Sequence, residues 1–162
     1  MEEMPKNYDP STNEPAILQK WLDGGYYKRR EGVGDCTVTI PPPNVTGKLH
    51  MGHATDDSIQ DAIIRMARMR GKSTRWVLGT DHAGIATQTK VDKKLKSEGI
   101  SRLEIGRDKF VDACWDWTHE YGGTIVNQIK RMGCSVDFSD EKFTMSPEFN
   151  RAVRRVFCDW YH

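Results

Sequence analysis

The sequence predicts an α/β fold built on a parallel β-α-β unit, and three observations carry that reading. A β-branched run, Cys36-Thr-Val-Thr-Ile40, stops at Pro41-Pro-Pro43. An amphipathic helical pattern then runs from the His50–His53 region to Arg70, with Gly71 as its C-cap candidate. A second run, Ser73-Thr-Arg-Trp-Val-Leu78, follows at once. Two strands joined by such a helix pair in parallel through a right-handed crossover.

The elements follow in order. Asn7-Tyr-Asp-Pro-Ser-Thr-Asn-Glu-Pro15 reads as turn-rich, after which Ala16, Ile17, Trp21 and Leu22 recur at helical spacing until Gly24-Gly25. Lys28-Arg-Arg30 is expected to be a solvated basic loop, and Gly32-Val-Gly34 another loop. Strand one covers roughly Asp35 to Ile40. Three prolines remove three N–H donors, so that strand ends there on a fixed path. In the next helix Met51, Ala54, Ile59, Ala62, Ile63, Met66 and Met69 form the expected apolar face. Asp56, Asp57 and Asp61 lie toward the positive end of its dipole, with Arg65, Arg68 and Arg70 at the other.

Beyond the second strand, Gly79 to Gly84 is the loop at its carboxyl end. A helix from Ile85 to Glu98 carries Lys90, Lys93, Lys94 and Lys96 on a solvated face. Phe110 to Met132 is helical in period, with an interruption expected at Gly122-Gly123, and its Trp115, Trp117 and Tyr121 read as core rather than as a base-stacking platform. Val136, Phe138 and Phe143 suggest short extended pieces, and Ser146-Pro-Glu148 opens a last helix.

The chemistry concentrates after strand one. His50 and His53 stand three residues apart at a helix start, on one side of its first turn. A helix N-terminus gathers unpaired N–H groups and positive potential, which suits phosphate, and two imidazoles beside it can donate to phosphate oxygens. Gly52 lets a flat or bulky ligand approach the backbone between them. The residues therefore indicate a nucleoside triphosphate site. In a doubly wound sheet the loop holding Asp81 and His82 opens on the same edge and faces that site. The competing reading is a metal held by His50, His53, His82 and Asp81. Phosphate explains the prolines and Gly52 and a metal does not, so no protein-bound metal is expected.

His50-Met-Gly-His53 resembles the "HIGH" signature of class I aminoacyl-tRNA synthetases, and the whole stretch Pro41-Pro-Pro-Asn-Val-Thr-Gly-Lys-Leu-His-Met-Gly-His-Ala54 looks like its valine-specific, bacterial-type version. Leu78-Gly-Thr-Asp-His-Ala-Gly-Ile-Ala-Thr-Gln88 is similar to a second block of that family, and Asn7-Tyr-Asp-Pro10 and the Gly122–Gly133 region also fit. The resemblance implies the first half of a Rossmann-like nucleotide-binding fold with additional helices, residues 35–162, preceded by a helix and loop extension, residues 1–34. It implies activation of L-valine by ATP, with Mg2+ carried by the ATP, to valyl-adenylate and pyrophosphate, then transfer to tRNA(Val). On the resemblance His50 and His53 are catalytic. Thr46, Gly47, His50, Gly52 and His53 bind ATP, while Pro42, Pro43, Asn44 and Asp81 bind valine, with Asp81 meeting its ammonium. The family's "KMSKS" signature has only a superficial echo in Lys142-Phe-Thr-Met-Ser146.

Composition adds bounds. The 162 residues suit one domain with a real core, whereas a whole synthetase of this kind is longer. With 24 basic and 23 acidic residues, no global charge argues for nucleic acid. Cys36, Cys114, Cys134 and Cys158 are scattered without a C-x-x-C pair, as in reduced cytoplasmic proteins. The charged start, Met1 to Lys6, has no apolar run behind it, and no membrane segment is expected. Phe149, Val153, Val156, Phe157 and Trp160 give the last helix an apolar face without a following element, so truncation before the editing insertion and self-association through this helix are expected. The alternative function is a catalytically inactive stand-alone fragment serving as an ATP-binding or assembly module.

Overall fold

The computed structural model describes residues 7–29, 31–32 and 34–162. Met1 to Lys6, Arg30 of the basic cluster and Val33 of the glycine loop lie outside the described residues. In chain order the elements are α1 (Pro10–Asp23), β1 (Asp35–Thr39), α2 (Met51–Met69), β2 (Ser73–Val77), β3 (Gly79–Thr80), α3 (Ile85–Ser97), α4 (Arg102–Arg131), β4 (Lys142–Phe143) and α5 (Pro147–Tyr161).

The expected parallel β-α-β unit is present. β1 and β2 pair in parallel from Asp35 opposite Ser73 to Thr39 opposite Val77, with α2 between them in sequence. After Leu78 the same run continues as β3, which pairs in parallel with β4, Gly79 opposite Lys142 and Thr80 opposite Phe143. The core gathers Ile40, Val45, Ile64, Trp76, Leu78, Ile125, Ile129, Cys134 and Val136 from the strands, α2, α4 and the connections. Burying each large aliphatic side chain there contributes about 1.5–3 kcal/mol. Trp76 is wholly enclosed, and its indole N–H donates to Gln60 Oε1 at 3.0 Å.

Five local expectations are corrected. α1 begins at Pro10, inside the stretch read as turns, because Asp9 caps it by accepting from Ser11 N at 3.0 Å and proline occupies the first turn, where its missing N–H costs nothing. The face of α2 turned inward is not the methionine and isoleucine stripe. Its buried residues are Asp57, Ile64 and Ala67, while Met51, Ile59, Ile63, Met66 and Met69 are exposed. Polar anchors decide that orientation. Asp61 Oδ1 accepts from Ser135 N at 3.1 Å and from its hydroxyl at 2.5 Å, Arg65 donates to Gly133 O at 2.8 Å, and Arg68 donates to Ser135 O at 2.7 Å.

α4 runs unbroken through Gly122-Gly123, and its non-helical residue is Gly106, at φ 79° and ψ 169°. Gly122 instead sits beside Val45, where a Cβ would come 4.0 Å from a Val45 methyl. The three aromatics of α4 divide. Trp117 and Tyr121 stack at 4.2 Å and are half-buried, whereas Trp115 is exposed and stacks on His119. On α3, Lys94 is not merely solvated, since its ammonium lies 6.0 Å from the Trp117 ring centre. α5 is exposed along its length, including Phe149, Val153, Val156, Phe157 and Trp160.

Candidate functional site

The proline turn carries the chain from β1 to the edge of the second strand run. Pro43 O accepts from Asp81 N at 2.8 Å and Val45 N donates to Asp81 O at 2.9 Å, closing a parallel bridge between Asn44 and Asp81. Residues from the two loops expected to share an edge therefore meet. Pro42 is exposed and Pro43 buried, while Asn44 is exposed beside Asp81. The segment holding Thr46 and Gly47, both half-buried, is tied down on either side from α4. Trp117 Nε1 donates to Val45 O at 2.8 Å, and Gln128 Oε1 accepts from Leu49 N at 2.9 Å. Neither role is visible in the sequence, where Trp117 reads only as core, because each contact spans more than seventy positions.

His50 is the N-cap of α2, with extended backbone at φ −125° and ψ 174°. Its Nδ1 accepts from Gly52 N at 3.1 Å, and His53 Nδ1 accepts from His50 N at 3.2 Å. The ring centres lie 4.0 Å apart. Because both Nδ1 atoms are acceptors, each neutral ring carries its proton on Nε2. Burial and then the neighbouring His50 depress the His53 pKa, which favours that neutral state. Two Nε2–H donors thus accompany the positive end of α2, as anion recognition requires.

Gly52 is needed for the cap itself. A Cβ there would lie 2.8 Å from His50 Cε1 and 3.0 Å from Nδ1, so any side chain displaces the capping imidazole.

On the other side of the bridge, Asp81 Oδ1 accepts from Thr144 Oγ1 at 2.8 Å and lies 3.2 Å from His82 Nδ1. Thr144 follows β4, and only the pairing of β4 with β3 reveals it as a neighbour of Asp81. The turn beyond is unusual. Ala83 has φ 53°, a left-handed conformation costly for a residue with a Cβ. His82 also lines a cavity of about 440 Å³ with Gln88, Phe110, Cys114, Trp115 and Phe143. Among the described residues no three His, Cys, Asp or Glu side chains are grouped to hold a metal ion.

Comparison with known proteins bears on this geometry. Residues 16–162 match the family model described as tRNA synthetases class I (I, L, M and V). The chain is 50% identical over 163 residues to a valine--tRNA ligase of Streptococcus pyogenes, covering 99% of this chain and 18% of that protein. It is 49% identical over 161 residues to the valine--tRNA ligase of Thermus thermophilus, covering 99% of this chain and 19% of that one. It thus spans under a fifth of the length of these relatives. The crystal structure of the ternary complex of Agrobacterium radiobacter agnB2 LeuRS-tRNA-LeuAMS superposes with a TM-score of 0.76 at 22% identity, covering 96% of this chain and 18% of that one. That likeness supports the Rossmann-like α/β fold.

Proposed function

Because the chain belongs to the class I tRNA synthetases, we propose that it carries the HIGH-type half-site of a valine-tRNA ligase, where ATP and L-valine become valyl-adenylate before transfer to tRNA(Val). On this reading residues 35–162 are the first half of the catalytic domain and residues 1–34 an extension leading into it. The observation that carries the proposal is the pair of Nε2–H donors fixed at the α2 start by the two Nδ1 caps.

Valine's carboxylate oxygen attacks the α-phosphorus of ATP, forming a P–O bond, and the bond to the bridging oxygen breaks to release pyrophosphate. No enzyme group is acylated. The work of the residues is orientation and stabilisation of charge developing on phosphate oxygens. His50 and His53 donate to those oxygens, with Gly52, Thr46 and Gly47 forming the surrounding backbone, while Mg2+ arrives with ATP. Asp81 takes the valine ammonium through a charge-assisted hydrogen bond, and Asn44, Pro42 and Pro43 border the amino acid. In the second step a ribose hydroxyl of tRNA attacks the adenylate carbonyl and AMP leaves. A cytoplasmic setting belongs to the same reading. Among the described residues no helix is long and apolar enough to cross a membrane.

A second reading, a non-catalytic ATP-binding or assembly module, has one observation in its favour. The exposed apolar face of α5 offers a surface for self-association. Valine-dependent exchange of labelled pyrophosphate into ATP separates the two. Exchange far slower than that of a complete enzyme is expected from the catalytic half-site, and Asp81→Asn should raise the valine requirement about thirtyfold while leaving ATP affinity unchanged, in line with the ~1.5–3 kcal/mol of a charged hydrogen bond. ATP binding without exchange at any valine concentration supports the module instead.

Gly52→Ala gives an independent check on the cap. Displacing the His50 ring should weaken ATP binding about tenfold, the scale of one hydrogen bond to a charged group, as read by calorimetry. Parental affinity in that variant refutes the assignment of the His50 ring.

A further inference from the structure

We infer that Thr144 is a positioning residue of the proposed valine site, tying Asp81 and His82 into one hydrogen-bonded unit that presents Asp81 to the amino acid's cation. This rests on the assignment of Asp81 to the valine ammonium. Register supplies the placement. β4 pairs Phe143 with Thr80, and Thr144 N donates to Thr80 O at 3.2 Å, which brings the next side chain against Asp81 and His82. The stretch from Lys142 to Ser146 looked in sequence like an echo of another signature. Here it has a different use.

Counting protons fixes the direction of each bond. A carboxylate only accepts, so the single hydroxyl hydrogen of Thr144 goes to Asp81 Oδ1, at 2.8 Å. Thr144 Oγ1 then only accepts, from His82 N at 3.0 Å and from His82 Nδ1 at 2.6 Å. His82 therefore carries its proton on Nδ1, the opposite tautomer to His50 and His53. The hydroxyl's one donor and two acceptor positions are all filled. Both neighbours engage the same carboxylate oxygen, with His82 Nδ1 3.2 Å from Asp81 Oδ1, so Oδ2 is the oxygen left for an ammonium. Asp81 keeps about a third of its side chain exposed, 32%, as a ligand-facing group must. Without the hydroxyl the carboxylate loses its 2.8 Å tie and keeps only the longer approach of His82, and a less firmly held acceptor recognises a cation less well.

The test compares Thr144→Val, Thr144→Ser and Asp81→Asn in the 162-residue chain, titrated with valine at saturating ATP and again with ATP alone. Thr144→Val should weaken valine roughly fivefold, the scale of one neutral hydrogen bond, and leave ATP unchanged, while Thr144→Ser stays within about twofold of the parent. Side-chain nitrogen-15 spectra add a readout that simple packing would not move. His82 should be protonated on Nδ1 in the parent and in Thr144→Ser, and its Nδ1 resonance should shift in Thr144→Val, where only Asp81 Oδ1 is left to accept that proton. A parent His82 protonated on Nε2 overturns the inference, and this spectrum decides the matter even if Thr144→Val does not fold. Valine binding unchanged in Thr144→Val but weakened in Asp81→Asn overturns it while sparing Asp81. If Asp81→Asn also binds valine normally, the Asp81 assignment fails and the inference falls with it.

Discussion

Replacing His50 and His53 together with alanine is expected to weaken ATP binding by a factor of about 100 or more while leaving the far-UV circular dichroism unchanged. Each Nε2–H given to a phosphate oxygen is a charge-assisted hydrogen bond worth about 1.5–3 kcal/mol, and two of them are lost at once. The single variants should each lose about tenfold by the same reckoning. Fold is not expected to follow, because the two rings hold little of the core. His50 is exposed and His53 half-buried, and α2 is fastened elsewhere, by Ile64, Ala67 and the Asp61–Ser135 contacts. Losing the cap costs the helix start roughly 1 kcal/mol. Calorimetry for affinity and circular dichroism for fold separate the possibilities. A double variant that unfolds assigns the histidines to structure, and one that binds ATP normally removes the phosphate reading.

What the sequence made legible was local chemistry. Cys36 to Ile40 ends at the prolines because the prolines forbid continuation, and the histidine pair announces a helix start because its spacing and Gly52 leave few alternatives. The parallel pairing of β1 with β2 follows from the helix between them. What remained hidden depends on residues distant in sequence. Trp117 and Gln128 clamp the proline turn from α4, and Thr144 reaches Asp81 only once β4 has paired with β3. Apolar periodicity also pointed to the wrong side of α2. The pattern of Ile59, Ile63, Met66 and Met69 is genuine, but the side buried against the strands is chosen by Asp61, Arg65 and Arg68 reaching backbone and hydroxyl groups of the 133–135 turn. A moment computed from hydrophobicity gives such contacts no weight. Gly122-Gly123 misled for a related reason. α4 continues through both glycines, Gly122 in ordinary contact with Val45 and Gly123 with nothing opposite it, because tertiary packing of the helix outweighs the weak local propensity of the pair.

The same reorientation turns Asp57 from a dipole partner into a buried carboxylate and yields the largest stability effect expected here. Asp57 is only 2% exposed, and its Oδ2 has no hydrogen-bond partner. Burial, and then the charge of Asp56, push its pKa up to about 6 from an ordinary 3.8. Nearby Cys134 feels the same surroundings. Burial first and Asp57 second raise its thiol to about 12, so it stays protonated and inert. An acid whose folded pKa is raised favours the folded state while it is protonated. Its contribution is complete below the unfolded value, near 4, and is lost as pH climbs through about 6. At 1.36 kcal/mol per unit, the difference amounts to about 3 kcal/mol between the two ends of that window. Asp57→Asn, which keeps the shape and removes the charge, should therefore stabilise the chain by about 2–3 kcal/mol at pH 8 and much less at pH 4.5. Urea unfolding of parent and variant at both values measures it. An equal effect at the two pH values would show that Asp57 does not change ionisation on folding, and that a partner for Oδ2 offsets its burial.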